Sequence, residues 1–157
     1  MFSRAISQPL AAEAVAALRD GTIGAALFYS PKSAELFKNQ VREDDLPTAG
    51  VIAICPVVEL EFLYSARSLA DRLAKKRLLR EVFGWVPMSE RVYERAEAVQ
   101  QMLTEAGKHR SAGPFDLLIA ATAERERLTV LCDDRDYEMV ASVTGQPVKL
   151  VTDVDVS

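Results

Sequence analysis

Short apolar segments alternate with helix-like segments along most of this chain, and that order restricts the fold more than any other feature. Val51–Cys55 is β-branched and apolar, which is typical of a buried strand. Helix-like stretches follow it, and the same succession recurs at Leu128–Cys132. Strands separated by helices pair in parallel, with the helices packed on the sheet. The pattern predicts an α/β fold: a parallel sheet flanked by helices.

The boundaries of the predicted elements come from helical spacing, β-branched runs and turn residues. Gly21 and Gly107 fit helix ends, Ser89 fits a helix N-cap, and Pro114 fits a first helical position. Periodicity alone does not separate a strand from a helix at 22–29, which we interpret as a strand. The predicted helices are 9–20, 33–41, 57–66, 69–82, Ser89 to Gly107, 114–126 and 136–143, and the predicted strands are 22–29, 51–55, 85–88, 128–132 and 148–151.

Length and composition indicate one domain. The chain has 157 residues, which is the usual size of a single domain. We expect residues 1–157 to form it, with 1–22 as a candidate N-terminal extension. No apolar run approaches the roughly 20 residues that span a bilayer, and Glu13 and Asp20 interrupt any signal-peptide core. A cytoplasmic location is the expectation.

The cysteines argue against a zinc site. Cys55 and Cys132 each end a predicted strand, neither belongs to a CxxC pair, and His109 is the single histidine. We expect both thiols to be buried and unpaired, packing as small apolar groups.

Carboxylates lie at the edges of three apolar segments. Glu61 follows the strand 51–55, Asp116 opens the helix at 114, and Asp134 and Asp136 follow the strand at 128. Because function collects at the carboxyl ends of parallel strands, we expect these acids to converge. Converged carboxylates repel one another, and Mg²⁺ or Mn²⁺, which prefer oxygen ligands, relieve that repulsion. The leading hypothesis is a metal-dependent phosphodiesterase that acts on RNA.

Each acid also has a simpler interpretation. Glu61 could face water, although Glu59 lies on a different helix face and cannot share its role. Asp116 could have no role beyond the favourable interaction of an acid with the dipole of its helix. Asp134 and Asp136 could be turn residues, and their spacing does not decide which of the two would be a ligand.

The basic residues occur in local runs within an acidic chain. The net charge is -4, which argues weakly against nucleic-acid binding by the whole surface. Lys75-Lys76-Arg77 is explained by a solvated helix face. His109-Arg110 lies in a loop before the Asp116 helix and could contact phosphate or be a plain surface pair.

Several of these segments, in this order, resemble the PIN domain and, within it, the VapC toxins of bacterial toxin–antitoxin modules. The resemblance extends from about Leu27 to the end of the chain. The matching segments are Cys55-Pro-Val-Val-Glu-Leu-Glu-Phe-Leu-Tyr-Ser-Ala-Arg-Ser68, His109-Arg110, Asp116-Leu-Leu-Ile-Ala-Ala-Thr-Ala-Glu124, Leu128-Thr-Val-Leu131, Asp134-Arg-Asp-Tyr137 and Val143-Thr-Gly-Gln-Pro-Val148.

The resemblance implies a PIN-like fold and a hydrolase, an endoribonuclease that depends on Mg²⁺ or Mn²⁺. The second acid of the family falls on Glu61, the third on Asp116, and the last on Asp134 or Asp136. It also implies a homodimer that a cognate VapB-type antitoxin inhibits. We expect the helices 57–66 and 69–82 to offer the antitoxin a surface with exposed apolar positions such as Leu69 and Leu79.

The chain departs from the family pattern near its start. In the matching stretch, Pro31 occupies the place of the first Asp, and Ser33 keeps the place of the family Ser. With His109 and Arg110, Ser33 is a candidate RNA-binding residue. Loss of a central carboxylate supports an alternative, a PIN-type binding module that engages antitoxin or RNA without efficient cleavage. A doubly wound domain with small-molecule chemistry is a further alternative, but the chain has no glycine-rich phosphate loop or nucleophile elbow.

Overall fold

The protein is represented by a computed structural model that describes residues 26–28, 52–132 and 134–150. Within these ranges a sheet is surrounded by helices, and none of the helices combines the length and apolar character needed to cross a membrane. The strands are β1 (Ala26–Phe28), β2 (Ile52–Ile54), β3 (Gly84–Trp85), β4 (Thr129–Cys132) and β5 (Val148–Leu150), and the helices are α1 (Pro56–Tyr64), α2 (Leu69–Val82), α3 (Glu90–Glu105), α4 (Pro114–Glu126) and α5 (Asp136–Thr144).

The five strands form one parallel sheet in the order β3-β2-β1-β4-β5. The chain leaves the central strand β1 toward β2 and β3 on one side and then crosses to β4 and β5 on the other. Ligand sites of such sheets lie outside the carboxyl ends of the strands, at the point where this direction reverses. The predicted α/β fold, a parallel sheet with flanking helices, is confirmed, and its switch point lies beside β1.

Most predicted boundaries agree with the structure to within about two residues. The exception is the predicted strand 85–88, because β3 spans only Gly84–Trp85. The amide of Val86 still donates to the carbonyl of Ile54 at 2.9 Å, but β2 ends at Ile54 and α1 begins at Pro56, so the neighbouring strand does not extend alongside Pro87 and Met88. The predicted helices 9–20 and 33–41 and the outer residues of the strand 22–29 lie outside the described residues.

The core lies between the sheet and the helices. Cys55 and Cys132 are both buried and form no disulfide, which confirms the expectation for the two thiols. Their burial removes them from reagents and leaves them as packing groups. The largest side chains that are almost completely buried are Ile54, Val58, Leu79, Leu103, Leu117, Ile119, Leu131 and Tyr137.

The helices α3 and α4 pack against each other in opposite directions. Arg95, near the start of α3, forms a two-point ion pair with Glu124 near the end of α4, and its Nη2 donates to Oε1 at 2.8 Å. The side chain of Glu124 holds the pKa of Arg95 above its ordinary value through this hydrogen bond. The pair fixes the end of α4 that is remote from Asp116.

A tight turn joins α4 directly to β4. Arg127 takes a left-handed conformation with φ of 56°, which a non-glycine residue adopts only when its surroundings require it. The amide of Leu128 then donates to the carbonyl of Ala123 at 2.8 Å, so the last turn of α4 is closed by the second residue beyond it.

Two serines occupy helix N-cap positions but make different contacts. The Oγ of Ser68, before α2, accepts from the amide of Asp71 at 3.1 Å, and the Asp71 carboxylate accepts from the amide of Arg67 at 2.8 Å. Ser89 lies at the N-cap of α3, as predicted, but its side chain makes no capping hydrogen bond. The two positions form a matched pair for measuring how much a capping hydrogen bond contributes to the free energy of unfolding.

Ser68→Ala is expected to lower the free energy of unfolding by about 1 kcal/mol, because the amide of Asp71 loses its acceptor. Ser89→Ala should cost much less, since no capping bond is lost. Urea unfolding followed by circular dichroism measures both variants. Equal losses at the two positions would show that the Ser68 bond does not stabilise α2.

Candidate functional site

The sheet topology brings the predicted acids to one edge. Glu61 lies in α1, directly after β2, whereas Asp134 and Asp136 directly follow β4. The strands β2 and β4 are the two neighbours of β1, so their ends are about 10 Å apart. Asp116 reaches the same edge by another route, because α4 returns the chain to the start of β4 and its first turn therefore lies near the strand ends.

Glu61 is partly buried and faces α4. Its pKa is raised, first by burial and then by the negative charge of Asp116. Glu59 lies on another face of α1, where its Oε1 is 3.3 Å from the Nζ of Lys76. The prediction that the two glutamates have different environments is confirmed, and Glu61 is the one that belongs to the edge with Asp116.

Asp116 is both a helix-capping residue and a member of the acidic group. Its Oδ2 accepts from the amide of Gly113 at 2.7 Å, and its Oδ1 accepts from the Tyr137 hydroxyl at 3.4 Å. A Cβ added to Gly113 would lie 3.2 Å from that Oδ2, closer than ordinary packing allows. The sequence analysis gave no role to Gly113 or Tyr137, although the segment ending at Tyr137 carried part of the family resemblance.

The loop after β4 arranges its two acids differently. The pKa of Asp136 is raised by burial and by the charges of Asp134 and Asp116. The Oδ1 of Asp134 accepts from the amide of Asp136 at 2.9 Å, a contact across two residues that is typical of an Asx turn. Asp134 thus accepts a hydrogen bond at the start of α5, whereas Asp136 is the acid on which the negative charge of Asp116 acts.

The result is a row of carboxylates that repel one another, with Asp116 between Glu61 and Asp136. All of its donors are oxygens, which suits Mg²⁺ or Mn²⁺. In the described part of the chain, no group of three or more His, Cys, Asp or Glu side chains is arranged so that it could hold a metal ion. The donor chemistry fits a hard divalent cation, although the described residues do not form a ready group of three ligands.

The candidate RNA-binding residues are divided between the described and the undescribed parts of the chain. His109 and Arg110 are exposed in the connection between α3 and α4, which leads into the first turn that holds Asp116. Ser33, like Pro31, lies outside the described residues. His109 and Arg110 are accessible to a ligand that approaches the acidic edge along α4.

The expected antitoxin surface on α1 and α2 is only partly as predicted. Leu69 is 72% exposed, but Leu79 is 1% exposed and belongs to the core. The prediction for Leu79 was wrong because helical spacing alone did not show which side of α2 faces the core.

Comparisons with known proteins give a consistent assignment. The PIN domain family matches residues 11–143. Ribonuclease VapC21 of Mycobacterium tuberculosis is 38% identical over 110 residues, which cover 70% of this chain and 80% of that protein. Ribonuclease VapC18 of the same organism is 39% identical over 108 residues, covering 66% and 77%.

Solved structures show the same fold at lower identity. A chain of the DNA-bound VapBC structure from Salmonella typhimurium superposes with a TM-score of 0.64 at 21% identity, covering 80% of this chain and 97% of that one. A toxin–antitoxin complex from Klebsiella pneumoniae gives a TM-score of 0.59 at 20% identity, covering 83% and 100%. The family match over residues 11–143 and the relatives at 38–39% identity show that the chain belongs to the PIN-domain family and, within it, to the VapC-type proteins.

Proposed function

We propose that this chain is an endoribonuclease that depends on Mg²⁺ or Mn²⁺ and acts as the toxin of a VapBC-type toxin–antitoxin module. The observation that carries the proposal is that Glu61, Asp116 and Asp136 meet at the carboxyl edge of the sheet, where the charge of Asp116 opposes both of the other acids. Such repulsion is costly in a folded protein, and a bound divalent cation removes it. The relatives at 38–39% identity that are named Ribonuclease VapC support the choice of RNA as substrate.

The side chains have separable roles in this proposal. When bound, a divalent cation would neutralise charge on the scissile phosphate and lower the pKa of a water molecule. Glu61, Asp116 and Asp136 would provide the carboxylate oxygens that hold it. Tyr137 and the amide of Gly113 keep the Asp116 carboxylate in one orientation, so that residue is positioned before any ligand arrives.

Within the loop after β4, we assign the ligand role to Asp136 and a positioning role to Asp134. Asp136 is the acid of this loop whose pKa the charge of Asp116 raises. One oxygen of Asp134 is already engaged by the backbone of α5. His109 and Arg110, exposed beside the first turn of α4, would hold the phosphate backbone of the RNA.

A PIN-type binding module is the second candidate. It is favoured by the arrangement of the acids, since the described residues contain no ready group of three metal ligands. A proline, Pro31, stands where the family has its first Asp, and the loss of that carboxylate also supports a binding module. In this case the protein would bind antitoxin or RNA and cut RNA poorly.

The proposed partners are an RNA substrate, a second copy of this chain and a VapB-type antitoxin. The solved complexes of similar fold include VapBC pairs, which supports an antitoxin as the binding protein. An antitoxin helix would lie in an apolar groove, the usual mode for such segments. A protein that remains monomeric by light scattering at micromolar concentration would contradict the homodimer.

RNA cleavage by the purified protein tests the proposed function. We expect cleavage with Mn²⁺, weaker cleavage with Mg²⁺ because it demands near-octahedral geometry, and none with EDTA. Glu61→Gln, purified in the same way, should reduce cleavage at least about 100-fold, since a ligand that acts in the transition state is lost. Undiminished cleavage in EDTA, or by the variant, would rule out this site; Mn²⁺ binding without cleavage would favour the binding module.

Glu61→Gln is also expected to raise the melting temperature of the metal-free protein, by about 1–3 °C after screening by solvent. Because the pKa of Glu61 is raised in the fold, its ionised form destabilises the protein above the ordinary value of 4.5 and the gain should shrink as the pH falls toward that value. Saturating Mn²⁺ should abolish the gain. Glu94→Gln, on the exposed face of α3, is the control, and an equal rise in that variant would refute a specific repulsion.

Asp136→Asn and Asp134→Asn separate the two acids of the loop. We expect Asp136→Asn to weaken Mn²⁺ binding about 10-fold or more and Asp134→Asn to weaken it less, because asparagine can still accept the backbone hydrogen bond of the turn. Calorimetric titration with Mn²⁺ measures both. The reverse order of effects would transfer the ligand role to Asp134.

A further inference from the structure

Two aromatic side chains next to the acidic row are exposed to solvent. Tyr64, at the end of α1, is 92% exposed, and Phe115, in the first turn of α4, is 58% exposed. Single exposed apolar residues are common on protein surfaces. These two are distinguished by their neighbours, because each adjoins one of the interacting acids.

The two rings are carried by the two helices that also carry Glu61 and Asp116. Tyr64 is three positions after Glu61, so the two side chains project from neighbouring parts of the same helix. Phe115 directly precedes Asp116 on α4. The helices α1 and α4 pack against each other, with one ring on each.

The electrostatics of the edge favour an additional source of RNA affinity that does not depend on charge. A row of carboxylates in a chain with a net charge of -4 repels phosphate groups. Unpaired bases bind proteins by stacking on aromatic rings, which is insensitive to that repulsion and works for any base. Exposed rings beside the carboxylates would supply this contact where backbone attraction is weakest.

We propose that Tyr64 and Phe115 are stacking platforms for unpaired nucleobases of a single-stranded RNA whose phosphate lies at the acidic row. The proposal rests on the ribonuclease function above and names how its substrate is held. A protein partner seated on the same rings would have to desolvate Glu61 and Asp136 as well, which is costly for unpaired carboxylates. An RNA ligand, by contrast, would leave its phosphates and the accompanying cations in contact with water.

Binding is measured with a 12-nucleotide unstructured RNA that contains 2-aminopurine, whose fluorescence is quenched by stacking. Glu61→Gln protein with Mg²⁺ is the parent, so that cleavage does not interfere. Tyr64→Ala and Phe115→Ala should each weaken binding by about 5- to 100-fold and relieve the quenching, whereas Tyr64→Phe should behave like the parent. Tyr93→Ala is the control, because Tyr93 is 71% exposed on α3 and should leave both signals unchanged.

Removing bases from the RNA gives an independent test. An abasic RNA of the same length should bind the parent and Tyr64→Ala equally weakly. The alanine variant, which keeps Phe115, should distinguish the two RNAs less than the parent does. In the otherwise unchanged protein, Tyr64→Ala should raise KM for RNA more than it lowers kcat.

Three results would overturn the proposal. If the alanine variants bind and cut RNA like the unmodified protein, the rings are not platforms, although the ribonuclease function stands. If Tyr64→Ala instead converts a dimer into monomers with unchanged RNA binding, the ring is a protein contact. If the unmodified protein neither binds nor cuts RNA with either metal, the stacking role and the proposed function fail together.

Discussion

The carboxylate of Asp116 is the group on which the acidic edge depends. It accepts hydrogen bonds from the amide of Gly113 and the hydroxyl of the buried Tyr137, and its charge raises the pKa of both Glu61 and Asp136. Fixed donors hold the carboxylate where it opposes other acids. The protein therefore keeps an unfavourable charge arrangement in place, which is a common property of sites built for a ligand rather than for stability.

The sequence predicted the described elements well because their signals are local and agree with one another. Pro114 marks the start of α4, Gly107 follows the end of α3, and β-branched runs mark β2 and β4. The parallel sheet followed from the alternation of those elements. The length of β3 was overestimated, since its partner β2 ends at Ile54 and the local pattern of 85–88 does not show where the partner strand ends.

The site was less predictable, because it depends on which helix faces meet. Spacing placed Glu61, Asp116 and the loop acids at one edge, but it did not separate the two acids of the loop. The backbone contact of Asp134 and the charge acting on Asp136 exist only in three dimensions. Tyr137 was overlooked for the same reason: its contact with Asp116 joins residues 21 positions apart. The burial of Leu79 likewise depends on how α2 is rotated against the core.

The left-handed turn at Arg127 has a consequence for how the length of this chain can vary. It makes α4 and β4 one uninterrupted unit that begins near Asp116 and ends at the loop of Asp136, and α4 alone is about 20 Å long. One residue inserted inside this unit would rotate Asp116 by about 100° about the helix axis or shift the strand by one register position. The connection 106–113 carries no such restriction. Insertions and deletions among related chains should therefore gather before Gly113 and be absent between Asp116 and Asp136.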